Sequence, residues 1–520
     1  MPGEAPDPSR PSRPAAAAAT GAIYVFFLGV LLCGCARRGV GAEQAGRGSK
    51  HGHVAARAGS HIPSVTGQES LRYSVRVDPA LTRLEVEACP TGFAVQRLNA
   101  PSPGAQVFLA DGKIITPEGD YPCPDEGVDL PRLKPGECLR YALALPTESA
   151  DRTAFRRVDA DVLLSPDVWL WIPTPRPFGV HVRAHFELPD GLSAAVPWPG
   201  SGTDFEIPET AFAWKSGGAF THTPARKLSA PDAELDLAVL GDGFAEHDAA
   251  VQRWLEAGAR TSSLLFGHFP VPRALVLAVP GDRKGAAFGM ALRGGGPAVV
   301  IFLDRHASEQ TLADDWTCTH EFLHLSVPRL PPEDAWLFEG LATYYTEVMR
   351  ARAGVITEAE AYQHLLDGFA RGRSGAGGHT LRDDSAEMRA RHAFFRVYWS
   401  GAALAFLTDV AARRAGGNTL DAALRSFADC CASAEDDWTA ERVLARLDAA
   451  LGAPRFAERA KTWLDRKEFP DLTLTLRALG VAPGAHGQAA LTRAPDAAIR
   501  DAIMARDLHA GADGDPHQRQ

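Results

Sequence analysis

The hydrophobic pattern of this 520-residue chain changes period partway along, and that change narrows the possible folds more than any other feature. From "LRYSVRVDP" (71–79) to about residue 230, short runs alternate apolar and polar positions: "RLEVEAC", "QVFLADGKII", "VDADVLLS", "VWLWIP" and "HVRAHFELP", separated by Pro, Gly and Asp. Period-two alternation turns one face of a strand inward. With turn residues this frequent, it predicts many short strands in an antiparallel β domain of sandwich type. Next, "LDLAVLGD" (235–242) reads as a strand, 245–266 as a helix and "RALVLAVPGD" (273–282) as a strand. "AAFGMALRGGGPAVVIFLD" (286–304) reads as two strands joined by a glycine turn. Beyond residue 309 the apolar positions recur at helical spacing, with loops, to about 465. Strands followed by helices predict the α+β class, with an N-terminal antiparallel β domain and a helical C-terminal part.

The first 35 residues read as a targeting segment and take no part in the fold. Arg10 and Arg13 precede "AIYVFFLGVLL" (22–32), which is short for a membrane span. "LCGC" (32–35) resembles a bacterial lipobox in which Cys35 becomes acylated; an ordinary cleaved signal or a signal anchor is the alternative. Each of these exports the chain from the cytoplasm to the cell envelope; the lipobox reading makes it a periplasmic or outer-surface protein held to a membrane through a lipid at Cys35. Residues 36–65, rich in Gly, Ala, Arg and His, read as a flexible tether. The remainder divides into a β domain at 66–232, a mixed strand–helix domain at 233–355 and helices at 356–470. The segment at 471–520 ends in "GADGDPHQRQ" and is expected to be partly disordered.

The 54 Lys+Arg and 64 Asp+Glu give a net charge of -10 and are scattered, with no basic stripe, which argues against a nucleic-acid partner. Eight cysteines in an exported chain suggest disulfides. Cys123 and Cys138 flank a Pro/Gly-rich loop they could staple, although the pairing is not fixed by sequence. No paired CxxC spacing marks a thiolate zinc site.

The chemistry concentrates in "DDWTCTHEFLHLSVPRLPPEDAWLFEGLATYYTEV" (314–348). On a helix His320 and His324, four apart, face the same way and can reach one ion, while Glu321 leans toward an open coordination position. Both histidines could instead be ordinary core residues. Pro328, Pro331 and Pro332 must end that helix, and a second is expected from about Asp334 to Arg352, stopped by Gly354. Its apolar stripe is Leu337, Leu341, Tyr344 and Val348. Glu339 begins a polar stripe with Thr343 and Thr346 or Glu347, so Glu339 could be the third ligand or a solvated first-turn acid. The residues after it suit the hydrogen-bond acceptors that ligand imidazoles need. Gly340, costly inside a helix, suggests close approach of the two helices around an ion.

"HEFLHL" with "WLFEGLATYYTEVMRARAGVIT" resembles the glycyl aminopeptidase family of gluzincin zinc metallopeptidases, as do "YSVRVDPALTRLEVE" (73–87) and "RVYWSGAALAFLTDVAARRAGGNTLDAALR" (396–425). The resemblance implies a thermolysin-like catalytic domain at 233–355, one Zn2+ per chain held by His320, His324 and Glu339, Glu321 as general base, and a peptide or protein substrate. It further implies that Tyr398 donates to the oxyanion; the alternative is an aromatic core residue beside Phe394 and Phe395. The family's PDZ module has no room in the roughly 50 residues after 470, so a variant without it is expected. A membrane-anchored binding or scaffold protein that keeps the fold without turnover is the contrasting reading, and the absence of a G-x-S-x-G elbow disfavours an ester hydrolase.

"FGMALRGGG" (288–296) is expected at the edge of the catalytic sheet, where a peptide would add as a strand, although it also reads as a plain hairpin. Gly289 and Gly294 to Gly296 would let a foreign backbone approach. Related aminopeptidases carry a glutamate near this strand that captures the substrate's amine. Here there is no acid, and an inward-pointing Arg293 would meet a free ammonium with a like charge.

Overall fold

In Ser70–Val77, Leu71, Tyr73, Val75 and Val77 are buried while Arg72 and Arg76 face solvent, the alternation that builds the whole first half. The structure, a computed structural model, describes residues 69–505 apart from 103–104, 117–118, 123–132, 135, 148–153, 175, 177–178, 245–246, 282–287 and 454. Cys35 and the targeting segment lie outside the described residues.

The first sheet has eight strands, with Ser70–Val77 between His181–Glu187 and Arg83–Thr91. A four-stranded sheet, built on Asp161–Leu164 and Ala219–Thr221, faces it across a shared core that includes Tyr73, Val75, Phe186, Val162, Leu164 and Phe220. The expected sandwich therefore forms, but it is not wholly antiparallel. Ser70–Val77 pairs in parallel with His181–Glu187, because the long connection between them frees the pair from hairpin geometry. "VWLWIP" is also not one strand. Ser165 caps a short helix, Pro166–Trp169, and the strand begins only at Ile172–Thr174. The suggested Cys123–Cys138 staple is replaced by Cys89–Cys138. Pairing of Ala88 with Leu139 in adjacent strands brings these two cysteines face to face.

The third sheet, five-stranded, runs Arg226–Leu228, Glu234–Val239, Arg273–Gly281, Ala298–Asp304, Phe288–Leu292 in spatial order. Its three inner strands are parallel and nearly continuously buried, since both faces are covered. One face packs on the helix Asp248–Ser263 through Val276, Val299, Trp254 and Leu255. The other packs Leu275, Leu277 and Val300 onto Leu163 and Ala219 of the four-stranded sheet. Phe288–Leu292 is an edge strand, as expected.

The helical part has its own core. The glutamate helix (Ala335–Arg352) lies against the tyrosine helix (Phe394–Arg414), with Glu358–Ser374 packed on the latter through Gly368 against the Trp399 ring. The weakly patterned C-terminal stretch is folded where it is described. It contains the helices Thr473–Leu479 and Ala497–Met504, and Arg352 anchors it by donating to the Ile503 carbonyl at 2.8 and 2.9 Å. Among the described residues no helix is long and apolar enough to cross a membrane.

Candidate metal centre and active site

The histidine helix, Thr317–His324, is only eight residues long, and all eight are buried. Its outer side nests against Asp248–Ser263 at Gly258, where a Cβ would stand 2.3 Å from the Cys318 sulfur. Phe322 packs edge-on to Phe269 at 5.3 Å. Cys318 is a buried free thiol whose pKa burial pushes up, so it is a packing residue and not a nucleophile or ligand. The prolines at 328, 331 and 332 then turn the chain. The Trp336 amide donates to Ser385 Oγ at 3.0 Å as the glutamate helix starts.

This turn brings the three expected ligands together. His320 Nε2 and His324 Nε2 stand 3.1 Å apart, and Glu339 Oε2 is 3.4 Å from the first and 3.2 Å from the second. Both histidine side chains are 4% exposed and Glu339 15%. Donors about 2.0–2.1 Å from a tetrahedral ion lie about 3.3 Å from one another, so the spacing suits zinc. The polar bookkeeping agrees, because buried Glu339 Oε2 has no hydrogen-bond donor among the described residues. Thr346 Oγ1 lies 3.3 Å from His320 Nδ1 and spends its own proton on the Ala342 carbonyl. It can therefore accept Nδ1–H, leaving Nε2 bare toward an ion. Burial by itself would raise the Glu339 pKa, but the adjacent imidazoles of His324 and His320 outweigh it and hold the carboxyl well below the usual range. Trp316 meets His320 edge-on at 5.2 Å, and Phe338 lies flat on His324 at 4.1 Å. Trp316 stands four residues before His320, the spacing that shares a helix face, so that contact had a signal in the sequence; Phe338 comes from the other helix and had none.

Glu321 faces the edge strand. A Cβ on Gly289 would lie 2.3 Å from Glu321 Cγ, and the Ala291 amide donates to the Glu321 carboxylate. Burial, with the Glu339 charge adding to it, raises the Glu321 pKa to about 7 against the opposing pull of His320 and that amide. Tyr398 stacks parallel to His320 at 6.2 Å and hydrogen-bonds Glu339. Burial, then the charges of Glu339 and Glu321, push its phenol well above the ordinary value, so it stays a donor. All five expected residues thus converge on one place.

Three supporting details differ from expectation, and one choice left open by the sequence is resolved. The close approach at Gly340 is not to the histidine helix but to the tyrosine helix, where its Cβ would sit 2.4 Å from Gly401 Cα. Of Thr346 and Glu347, only the threonine serves a ligand; Glu347 pairs with His364 at 2.9 Å and Arg350 at 3.4 Å. Gly294–Gly296 are needed for packing against the β half, not for substrate. A Cβ on Gly294 would lie 2.3 Å from the Trp214 carbonyl, and one on Gly295 2.2 Å from Trp198 Nε1. Arg293 does not point toward an incoming amine. It donates to the carbonyls of Leu325 and Val327, both at 2.7 Å.

A β sandwich, a mixed sheet with the histidine helix against its open edge, and a glutamate helix packed on a tyrosine helix make up the α+β fold. Among solved structures, the chain is similar to the aminopeptidase N family protein from Idiomarina loihiensis, with a TM-score of 0.63 and 15% identity over 79% of this chain and 78% of that one. The M1 zinc metallopeptidase from Deinococcus radiodurans matches with a TM-score of 0.47 and 17% identity over 78% of this chain and 94% of that one. No family model and no curated protein matches the sequence. The likeness to the Idiomarina loihiensis protein establishes the fold, and the function has to be argued from the residues.

Proposed function

We propose that the chain is a single-zinc metallopeptidase that hydrolyses peptide bonds, with His320, His324 and Glu339 as ligands. The observation that carries this reading is the mutual spacing of 3.1 to 3.4 Å between the three ligand atoms, with Glu321 and Tyr398 beside them. Zinc held there supplies Lewis-acid polarisation of the scissile carbonyl and acidifies a water. Glu321 takes a proton from the attacking water on its carboxylate and passes it to the leaving nitrogen. The Ala291 amide fixes that carboxylate between the edge strand and the ligands. Tyr398 donates its phenolic hydrogen to the carbonyl oxygen as charge builds there. The substrate lies along Phe288–Leu292, whose free edge supplies main-chain hydrogen bonds.

The ends of the substrate follow from the same strand. The positions that face Glu321 are Gly289 and Ala291, neither of which carries a carboxylate to pair with an ammonium. Acetylated peptides are therefore cleaved at least as well as free ones, and the enzyme does not depend on a free N-terminus. The proposal includes export and acylation at Cys35, supported by "LCGC" alone; Cys35→Ser then leaves the membrane fraction.

The test uses purified protein, which should hold about one zinc per chain. Glu321→Gln should keep that zinc and lose turnover of fluorogenic peptides supplied as acetylated and free pairs. Full activity in Glu321→Gln, or no zinc in the wild type, overturns the mechanism. Loss of turnover in every variant and in the wild type favours a non-catalytic binding protein.

A further inference from the structure

Arg293 joins the edge strand to the glycine turn and is half-buried. Among the described residues it makes no ion pair, and its hydrogen bonds go to main-chain carbonyls. Nη2 donates to Leu325 O and Val327 O at 2.7 Å and to His324 O at 3.4 Å, and Nη1 donates to Ala432 O at 3.0 Å. Three of these carbonyls belong to the end of the histidine helix or the residues just past it. A helix end leaves acceptors unpaired and carries partial negative charge, which a cation offsets. Drawing a cation partly out of water with no anion beside it has a cost, and a water or hydroxyl would have satisfied the same acceptors.

The position of the side chain gives the reason for that cost. His324 is the last residue of an eight-residue helix, where fraying would swing its imidazole first. The same edge strand presents Gly289 and Ala291 to Glu321, one turn earlier on that helix. The contacts therefore close a ring: from the strand to Glu321, along the helix to His324, through its carbonyls to Arg293, and back to the strand. The planar fork of arginine can hold several carbonyls in fixed relation, which an ammonium cannot. We propose that Arg293 is a positioning residue that holds His324 and Glu321 in one rigid frame with the strand that receives the substrate. This role rests on the zinc-peptidase reading above.

The test compares full-length wild type, Arg293→Lys and Arg293→Met. Zinc affinity is measured by chelator competition, the ligand field by visible absorption of the Co2+-loaded protein, and kcat and KM on one acetylated peptide. Arg293→Met should bind zinc about 10- to 100-fold more weakly, the scale of losing a support behind metal ligands. Its Co2+ bands should shift, and kcat should fall about tenfold or more while KM changes little. Arg293→Lys should fall between the two. A folded Arg293→Met with zinc affinity within about threefold of wild type and unshifted Co2+ bands overturns the proposal. If Arg293→Met does not fold, Arg293→Lys decides: it should weaken zinc binding by more than about threefold and shift the Co2+ bands, and failing both overturns the proposal. A wild type that binds no zinc is a different result: it removes the peptidase reading itself, before any variant is compared.

Discussion

Thr346 Oγ1 donates to the Ala342 carbonyl and turns its lone pairs toward His320 Nδ1, so one hydroxyl fixes which nitrogen of a ligand carries the proton. Thr346→Val keeps the shape and removes the acceptor. Zinc affinity should fall about 10- to 100-fold with the fold intact, measured by chelator competition alongside circular dichroism, and Thr346→Ser should restore most of it. At this scale, what sequence could reveal depended on whether a residue acts through its own helix. His320 and His324 were legible because i and i+4 share a face whatever surrounds them. Glu339 was legible from the start of the polar stripe. The choice between Thr346 and Glu347 was not, since neighbouring positions of one helix point into adjoining arcs and only the other helices decide. His364 claims Glu347 and leaves the threonine for His320. The sequence singled out Arg293 but not its role, because its partners are carbonyls, which every residue has.

The pairing of the glutamate helix with the tyrosine helix is what brings Tyr398 to the ligands. Gly340 and Gly401 allow it, meeting back to back so that a Cβ on Gly401 would stand 1.8 Å from the Trp336 carbonyl. That carbonyl is main chain and cannot step aside. Gly401→Ala should therefore destabilise the protein by about 1–3 kcal/mol, the range for overpacking a tight core. It should also lower kcat beyond what the loss of folded protein explains, because the tyrosine helix is pushed outward; thermal melts and kcat per folded molecule check the two parts. A glycine inside a helix announced a close approach but not the partner, since sequence distance carries no information on which helices meet. Element type was recovered where the period was clean, as in Ser70–Val77 and Ala335–Arg352. It failed at "VWLWIP", where bulky apolar residues suit strand and buried helix alike and the Ser165–Pro166 start signal was the better guide.

For the whole molecule, the order of β half and helical half was legible from the period change, whereas the disulfide partner and the parallel strand pair were not, because both depend on how distant segments align. Its pH response includes a pair that ties Glu358–Ser374 to the glutamate helix. The hydrogen bond to Glu347, against the opposing effect of burial, raises the His364 pKa above its ordinary 6.5. A raised histidine stabilises fully below the unfolded value of about 6.5, and that contribution fades as pH rises through the folded pKa. The melting-temperature gap between wild type and His364→Gln should thus be widest near pH 5.5 and close in alkaline buffer, and a gap that widens with pH contradicts this assignment. The open edge at Phe288–Leu292 has a consequence of another kind. A sheet edge that can accept a peptide can equally accept the edge of a second sheet, and Phe288, 56% exposed, adds apolar adhesion. Among the described residues this edge strand is five residues long, its Ala291 amide is already given to Glu321, and it runs directly into Arg293 and the glycine turn, both locked to other parts of the chain. A visiting strand finds a short berth with a fixed end, long enough to hold one peptide and too short to seed a growing stack of sheets.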